Sequence, residues 1–311
     1  MSTITQASPG TQMGHIAILI ASFLWGTTGT VASLAPAISP LAIGAFAMGI
    51  GGLLQALVAM KNLQQDRSLL WQHRRLVVLG ALGIATYPLA FYSSMHLAGV
   101  AIGTVVTIGS APFFTALLEW LISKKSPVTT RWLISLSLGI TGILLLAFSN
   151  DASTYHTSTQ DTLVGIILGL VAGLAYALYA WIGKHLIEAG IHSKASISSM
   201  FGVSALVLLP SLWFTGDHLF ADLHNASVAL YMAIVPMFLG YVLFSFGLKT
   251  THASTATILT LFEPVVAAMF AVTIVGEHIT TWGWIGMLLI GVCLVLQTWK
   301  QNTQALQPSL D

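Results

Sequence analysis

The chain reads as an all-α polytopic membrane protein, ten transmembrane helices arranged as two inverted five-helix repeats. Three observations predict this. Of 311 residues, 56% are hydrophobic and 7% charged, against roughly 25% charged in a soluble domain. The lysines and arginines fall in alternate connections between apolar segments, and the chain superposes on itself after a slide of 152 positions.

A bilayer core of roughly 30 Å needs about 20 apolar residues per helix. On that ruler the spans fall near 14–35, 40–60, 75–96, 99–122, 130–149, 162–184, 195–215, 227–248, 254–275 and 281–299, with no connection long enough for a soluble domain. With both termini cytoplasmic, Lys61, Arg67, Arg74, Arg75, Lys124, Lys125, Arg131, Lys184, Lys194, Lys249 and Lys300 all lie on that side. The opposite connections hold Asp151, Asp161, Asp217, Asp222 and Glu277. This is the positive-inside distribution, and losing one span would scatter the charges over both faces. Met1 to Met13 contains no Lys or Arg and no small-residue cleavage site, so the first hydrophobic helix is expected to do the targeting.

The repeat divides the chain into 1–150 and 151–311. The slide of 152 sets Ala101 on Ala253, Pro112 on Pro264, Ile122 on Ile274, Trp132 on Trp284 and Gly139 on Gly291. A slide of 151 sets Gly14, Leu19, Ala21 and Trp25 on Gly165, Leu170, Ala172 and Tyr176. Five helices per unit is odd, so the second unit runs inverted. Inverted repeats are a recurrent plan of secondary transporters, with solute bound near the midplane where helices are irregular.

Several classes are disfavoured. A net charge of +1 and the lack of a basic run offer nothing to nucleic acid. One cysteine, Cys293, allows neither an intrachain disulfide nor a zinc cluster. No GxxxxGK[ST] loop is present, so ATP is not the direct energy source. The chain has no GxSxG, no HExxH and no acidic pair within a span, so it reads as a non-enzyme without metal or cofactor.

The segment from His252 to Glu277 is the centre of the functional reading. It carries Glu263 beside Pro264 in the middle of a span. A proline removes one amide donor and clashes with the carbonyl four residues back, here Thr260, so the helix is expected to kink and leave that oxygen unpaired. A carboxylate at mid-span is costly, about 2.5–3.5 kcal/mol on insertion scales, and should face a cavity or a partner. It would bind a substrate amine or take up a proton, or else brace the kink. Pro112 is the matching kink of the first half.

These residues resemble the drug/metabolite transporter superfamily, in its ten-helix form built from two EamA domains. The stretch from Ala17 to Ser33, AILIASFLWGTTGTVAS, carries the resemblance, as do Glu263-Pro264, Gly276-Glu277 and Trp284 to Gly291. The first half departs from the pattern, with Ser110-Ala111-Pro112 lacking the acid and Lys124-Lys125 in place of Gly-Glu. The resemblance implies ten helices, cytoplasmic termini and transport of small organic solutes, often export of amino acids, other metabolites or drugs.

The expected substrate-binding set is Trp25, Tyr87, Tyr92, Thr107, Tyr176, Tyr179, Tyr241, Thr260 and Glu263. The aromatics lie well inside their spans rather than at the interfacial belts, and a buried Tyr or Trp needs a partner for its polar edge. The threonines lie near Pro112 and Pro264. Glu119, near Lys124 and Lys125, is expected to snorkel to the cytoplasmic headgroups. Gly165, Gly169 and Gly173 read as a packing ridge. The function expected is an inner-membrane secondary transporter exporting small metabolites such as amino acids by alternating access. Its partners are the solute and the lipid bilayer, with protons as coupling ion if Glu263 titrates. Drug efflux in the same fold, or a sensor or pore, are the alternatives.

Overall fold

The structure, a computed structural model, describes residues 9–98, 100–124, 128–147, 159–276 and 280–298. Within them the long helices are α1 (Gly10–Ser33), α2 (Pro40–Val58), α3 (Arg74–Ala98), α4 (Val100–Leu121), α5 (Thr130–Ala147), α6 (Thr159–Glu188), α7 (Ser193–Thr215), α8 (Leu223–Leu248), α9 (Ala253–Ile274) and α10 (Thr281–Thr298). Among the described residues there is no strand, and nine helices are long and apolar enough to cross a membrane. The exception, α5, is apolar over the shorter stretch Thr130–Leu146. Lys125, Asp151, Glu277 and Lys300 lie outside the described residues.

Helix ends follow local chemistry. Pro40 opens α2 at a position where its missing N–H costs nothing. Asp222 caps α8 by accepting from the Asn225 N–H at 2.7 Å. α6 closes through Gly190, whose φ of 93° only glycine adopts freely, with the Ile191 N–H donating back to the Leu186 carbonyl at 3.1 Å. Lys184 donates to the Leu248 carbonyl at 2.9 Å, placing a cation on the negative end of α8. Between α2 and α3 the chain forms two short helices, Met60–Gln65 and Arg67–Gln72, in the stretch that the sequence leaves as a connection. Asp66 lies between them and accepts from the His192 N–H at 2.8 Å, tying this connection to the start of α7.

The helices pair α3 with α6, α4 with α6, α2 with α7, α5 with α10, and α1 with α8 and α9. Small residues permit the closest crossings. A Cβ on Gly286 would sit 2.5 Å from the Gly142 carbonyl oxygen, and one on Gly142 would sit 2.6 Å from the Gly286 oxygen, so α5 and α10 touch through bare backbone. The ridge of Gly165, Gly169 and Gly173 does the same for α6, facing Ala98, Ser94 and Thr107 on α3 and α4.

Buried side chains form two separate apolar clusters. The larger runs through α1, α3, α6, α7 and α8. The smaller gathers Ile43 and Phe46 of α2 with Val228, Ala229 and Met232 of α8. The outer surface is apolar, with Trp71, Trp120, Trp213, Phe214, Trp282 and Trp284 exposed at or near helix ends, where an aromatic belt meets the headgroups.

Gly286→Ala should force α5 and α10 apart and lower the thermal midpoint of the detergent-purified protein, since overpacking costs about 1–3 kcal/mol. An unchanged midpoint would contradict the contact.

Candidate functional site

The break in α9 builds the site. The helix stops at Leu259, turns through Thr260 and Leu261, and restarts at Phe262. Pro264 therefore falls in the first turn of a new helix, where an N–H is not required. The expectation that the Thr260 carbonyl is left unpaired is overturned. It accepts the Ser22 hydroxyl of α1 at 3.1 Å and the Glu263 N–H at 3.0 Å. An orphan carbonyl in a membrane interior costs several kcal/mol, and a serine on the adjacent helix removes that cost. Pro112, by contrast, lies inside α4, which runs unbroken from Val100 to Leu121.

α8 carries a second irregularity facing the first. Ala233–Gly240 winds as a π-helix around Pro236, which disturbs the regular ladder and re-aims carbonyls. Two of these find side-chain donors. Trp25 Nε1 donates to the Pro236 carbonyl at 2.9 Å, and Gln55 Nε2 donates to that of Met237 at 3.0 Å. Gly240 makes room for the indole, since a Cβ there would sit 2.6 Å from Trp25 Nε1.

Between these irregular segments lies a cavity of about 560 Å³, counting all space between atoms and the part open to solvent. Its wall takes Ala47 and Met232 from the smaller apolar cluster, and Trp25, Met48, Tyr176, Tyr179 and Tyr241 from the larger. Met237, also on the wall, packs against both.

Of the residues expected to bind solute, Trp25, Tyr87, Tyr92, Tyr176, Tyr179, Tyr241 and Glu263 line this cavity. Thr107 and Thr260 do not. Thr107 is fully buried and donates to the Gly169 carbonyl at 3.2 Å, pinning α4 to α6. Thr260 Oγ1 stands behind the wall, accepting from the Tyr176 hydroxyl at 3.0 Å and donating to the Thr257 carbonyl at 2.9 Å. Hydroxyls in membrane helices commonly make such bonds. Tyr179 and Tyr241 share a hydrogen bond of 2.7 Å, and the Trp25 and Tyr241 rings lie 4.7 Å apart. The hydroxyls of Tyr87 and Tyr92 have no hydrogen-bond partner among the described residues.

Glu263 is the only charged residue on the cavity wall. As the second residue of the restarted helix it lies at the positive end of that helix's dipole, and among the described residues nothing donates to its carboxylate. The other intramembrane acid behaves oppositely. Glu119 was expected to reach the headgroups, yet it is 3% exposed. Its carboxylate accepts both the Ser254 N–H at 3.3 Å and the Ser254 hydroxyl at 2.5 Å. It satisfies an orphan donor at the start of α9 from across the bundle, a role nearer to a helix cap than to snorkelling.

Sequence reasoning missed several wall residues, among them Thr28, Gly44, Met48, Pro88, Phe91 and Met237. Pro88, another proline inside a span, was a usable signal. Gly44 faces the Tyr92 ring, and a Cβ there would meet a ring carbon at 2.7 Å, so the glycine makes space for the tyrosine. The methionines carry no distinguishing pattern. No group of three His, Cys, Asp or Glu able to hold a metal occurs among the described residues.

The two acids make opposite predictions. Glu119→Ala should lower the thermal midpoint in detergent, because a buried donor left unsatisfied costs about 1–3 kcal/mol. Glu263→Gln should leave it unchanged. Equal losses from both would contradict the division.

Comparison with known proteins agrees with this architecture. The model of the EamA-like transporter family matches residues 12–148 and 163–299. The chain is 34% identical over 282 residues to the uncharacterized transporter YwfM of Bacillus subtilis strain 168, covering 90% of this chain and 91% of that one. It is 22% identical to the uncharacterized inner membrane transporter YicL of Salmonella typhimurium strain LT2, covering 92% and 95%. A solved crystal structure superposes with a TM-score of 0.76 at 16% identity, over 91% of this chain and 95% of that one, and so shares the fold. With a matching model over both halves and a relative at this identity along nearly its whole length, the chain belongs to the EamA-like transporter family, and it is a multi-pass membrane protein.

Proposed function

We propose that the chain is a ten-helix secondary transporter of the inner membrane, exporting small amphipathic metabolites by alternating access. The observation that carries this reading is the central cavity. It is walled by helices of both halves, bordered by two interrupted helices, and holds one unpartnered carboxylate at the end of a broken helix. Broken helices at a midplane site are how transporters present polar backbone and charge to a solute inside an apolar bundle.

The helix pairing supports two inverted halves, 1–150 and 151–311. A twofold exchanging α1–α5 with α6–α10 would pair α2 with α7 and α5 with α10. It would also make α3 against α6 the counterpart of α8 against α1, and α4 against α6 that of α9 against α1. All of these contacts are present. In this reading α5 is the tenth crossing and both termini are cytoplasmic. Trp25, Tyr87, Tyr92, Tyr176, Tyr179, Tyr241 and Glu263 form the solute site. Thr107 and Thr260 hold its surroundings.

Glu263 is the proposed coupling group. Proteoliposomes holding the wild-type protein should concentrate a transported solute when a proton gradient is imposed, and Glu263→Gln should abolish that dependence while leaving downhill exchange. Gradient-driven accumulation unchanged in the variant would overturn the coupling. Orientation has its own test, made simple because the single cysteine is buried. Arg74→Cys should react with an impermeant maleimide only from the cytoplasmic side, and Asp217→Cys only from the other. The reverse pattern would invert the topology.

A further inference from the structure

We infer that the cavity selects organic monocations, an ammonium group carried on a flat apolar body, over zwitterions and anions of the same shape. The inference rests on reading this cavity as the solute site. It narrows the solute class by asking which charges the wall can neutralise.

The wall contains one carboxylate, Glu263, and no lysine, arginine or histidine. The positive charges of the chain stand in the connections and at helix ends. A solute ammonium would meet Glu263 directly and would lie among aromatic rings whose faces carry negative potential. Tyr87 and Tyr176, 5.8 Å apart, and Trp25 and Tyr241, 4.7 Å apart, supply such faces.

A solute carboxylate finds the opposite environment, because the donors around the cavity are already committed. Trp25 gives its indole N–H to the Pro236 carbonyl. Tyr176 gives its hydroxyl to Thr260, and the Tyr179–Tyr241 bond takes one of that pair's two O–H donors. Polar donors left open on the wall are the hydroxyls of Tyr87, Tyr92 and Thr28 and the remaining O–H of the Tyr179–Tyr241 pair, none of them charged.

The restarted helix is the other place to look for an anion site, since half-helix N-termini hold substrate carboxylates in other transporters. Here two of its leading positions offer no donor and an acid stands beside them. The Glu263 N–H is taken by the Thr260 carbonyl, Pro264 has no N–H to give, and the Glu263 side chain places its own negative charge at the same helix end. A zwitterion would therefore gain one ion pair and bury its other charge without a partner, which is strongly unfavourable in a low-dielectric site.

Three probes with one ring and three charges test this: tryptamine, tryptophan and indole-3-propionate, titrated calorimetrically into the purified full-length protein. Tryptamine should bind at least about tenfold more tightly than tryptophan, with indole-3-propionate weakest of all, the gap set by one unpaired buried charge. Glu263→Gln should lose most of the preference for tryptamine. The wild-type comparison needs no variant, so it stands even if the substitution fails to fold. Tryptophan binding as tightly as tryptamine would overturn the inference, and so would no tryptamine binding at millimolar concentration. Counterflow in proteoliposomes separates this failure from that of the transport reading. Tryptamine that binds but never crosses would sink transport and leave the charge selection standing. Saturable counterflow of tryptophan without tryptamine would sink the charge selection and leave transport.

Discussion

The hydrogen bond from the Ser22 hydroxyl to the Thr260 carbonyl is the contact on which the site depends. In an apolar interior no water repairs an interrupted helix, so a break persists only where a neighbour supplies the missing donor. Ser22 does so for α9, and Trp25, one turn further along the same helix, does so for the π segment of α8. α1 is thus the strut that holds both irregular helices open. Gly26 continues the same face, since a Cβ there would sit 2.6 Å from Val266 and 2.8 Å from the Glu263 carbonyl oxygen, which keeps α1 against the restarted half of α9.

From that support follows a division of polar work. Hydroxyls and amides behind the wall are consumed in holding backbone in place: Thr107 on Gly169, Gln55 on Met237, Ser196 on Gly183 and Ser245 on Ser193. What remains open to the cavity is Glu263, a few hydroxyls and ring faces. Most framework hydroxyls and amides are paired in this way, although Ser94, Trp132, Ser135, Thr251 and Gln297 each bury a polar atom that has no partner among the described residues.

The two intramembrane acids show how context separates identical side chains. Both lie in apolar helices, and both are expensive there. Glu119 is stabilised by a hydroxyl and an amide at a helix start on the other side of the bundle. Glu263 has only the dipole of its own short helix and the free space of the cavity. One carboxylate joins the halves of the chain; the other is left available for exchange with something that enters.

The membrane class, the positions of the long spans and the proline at the break were legible in the chain, because burial in a bilayer demands long apolar runs and alternating charge whatever the packing. Interior aromatics and a mid-span Glu were legible for a similar reason, since polar edges at that depth are rare and need an outlet. Ser22, Gln55, Gly44 and the wall methionines were not, because a serine or a methionine in a membrane helix means nothing until its neighbour is known. The same limit explains Thr107, Thr260 and Glu119, whose partners are 62, 84 and 135 residues away. Sequence alone determined that this chain must cross a bilayer and predicted a bend beside an acid, while the full break at Thr260 and Leu261 is a feature of the folded chain. Which carbonyls are rescued, which carboxylate is spent on structure and which stays free was decided by tertiary contacts, since a hydrogen bond between helices depends on which faces meet and not on spacing along either one.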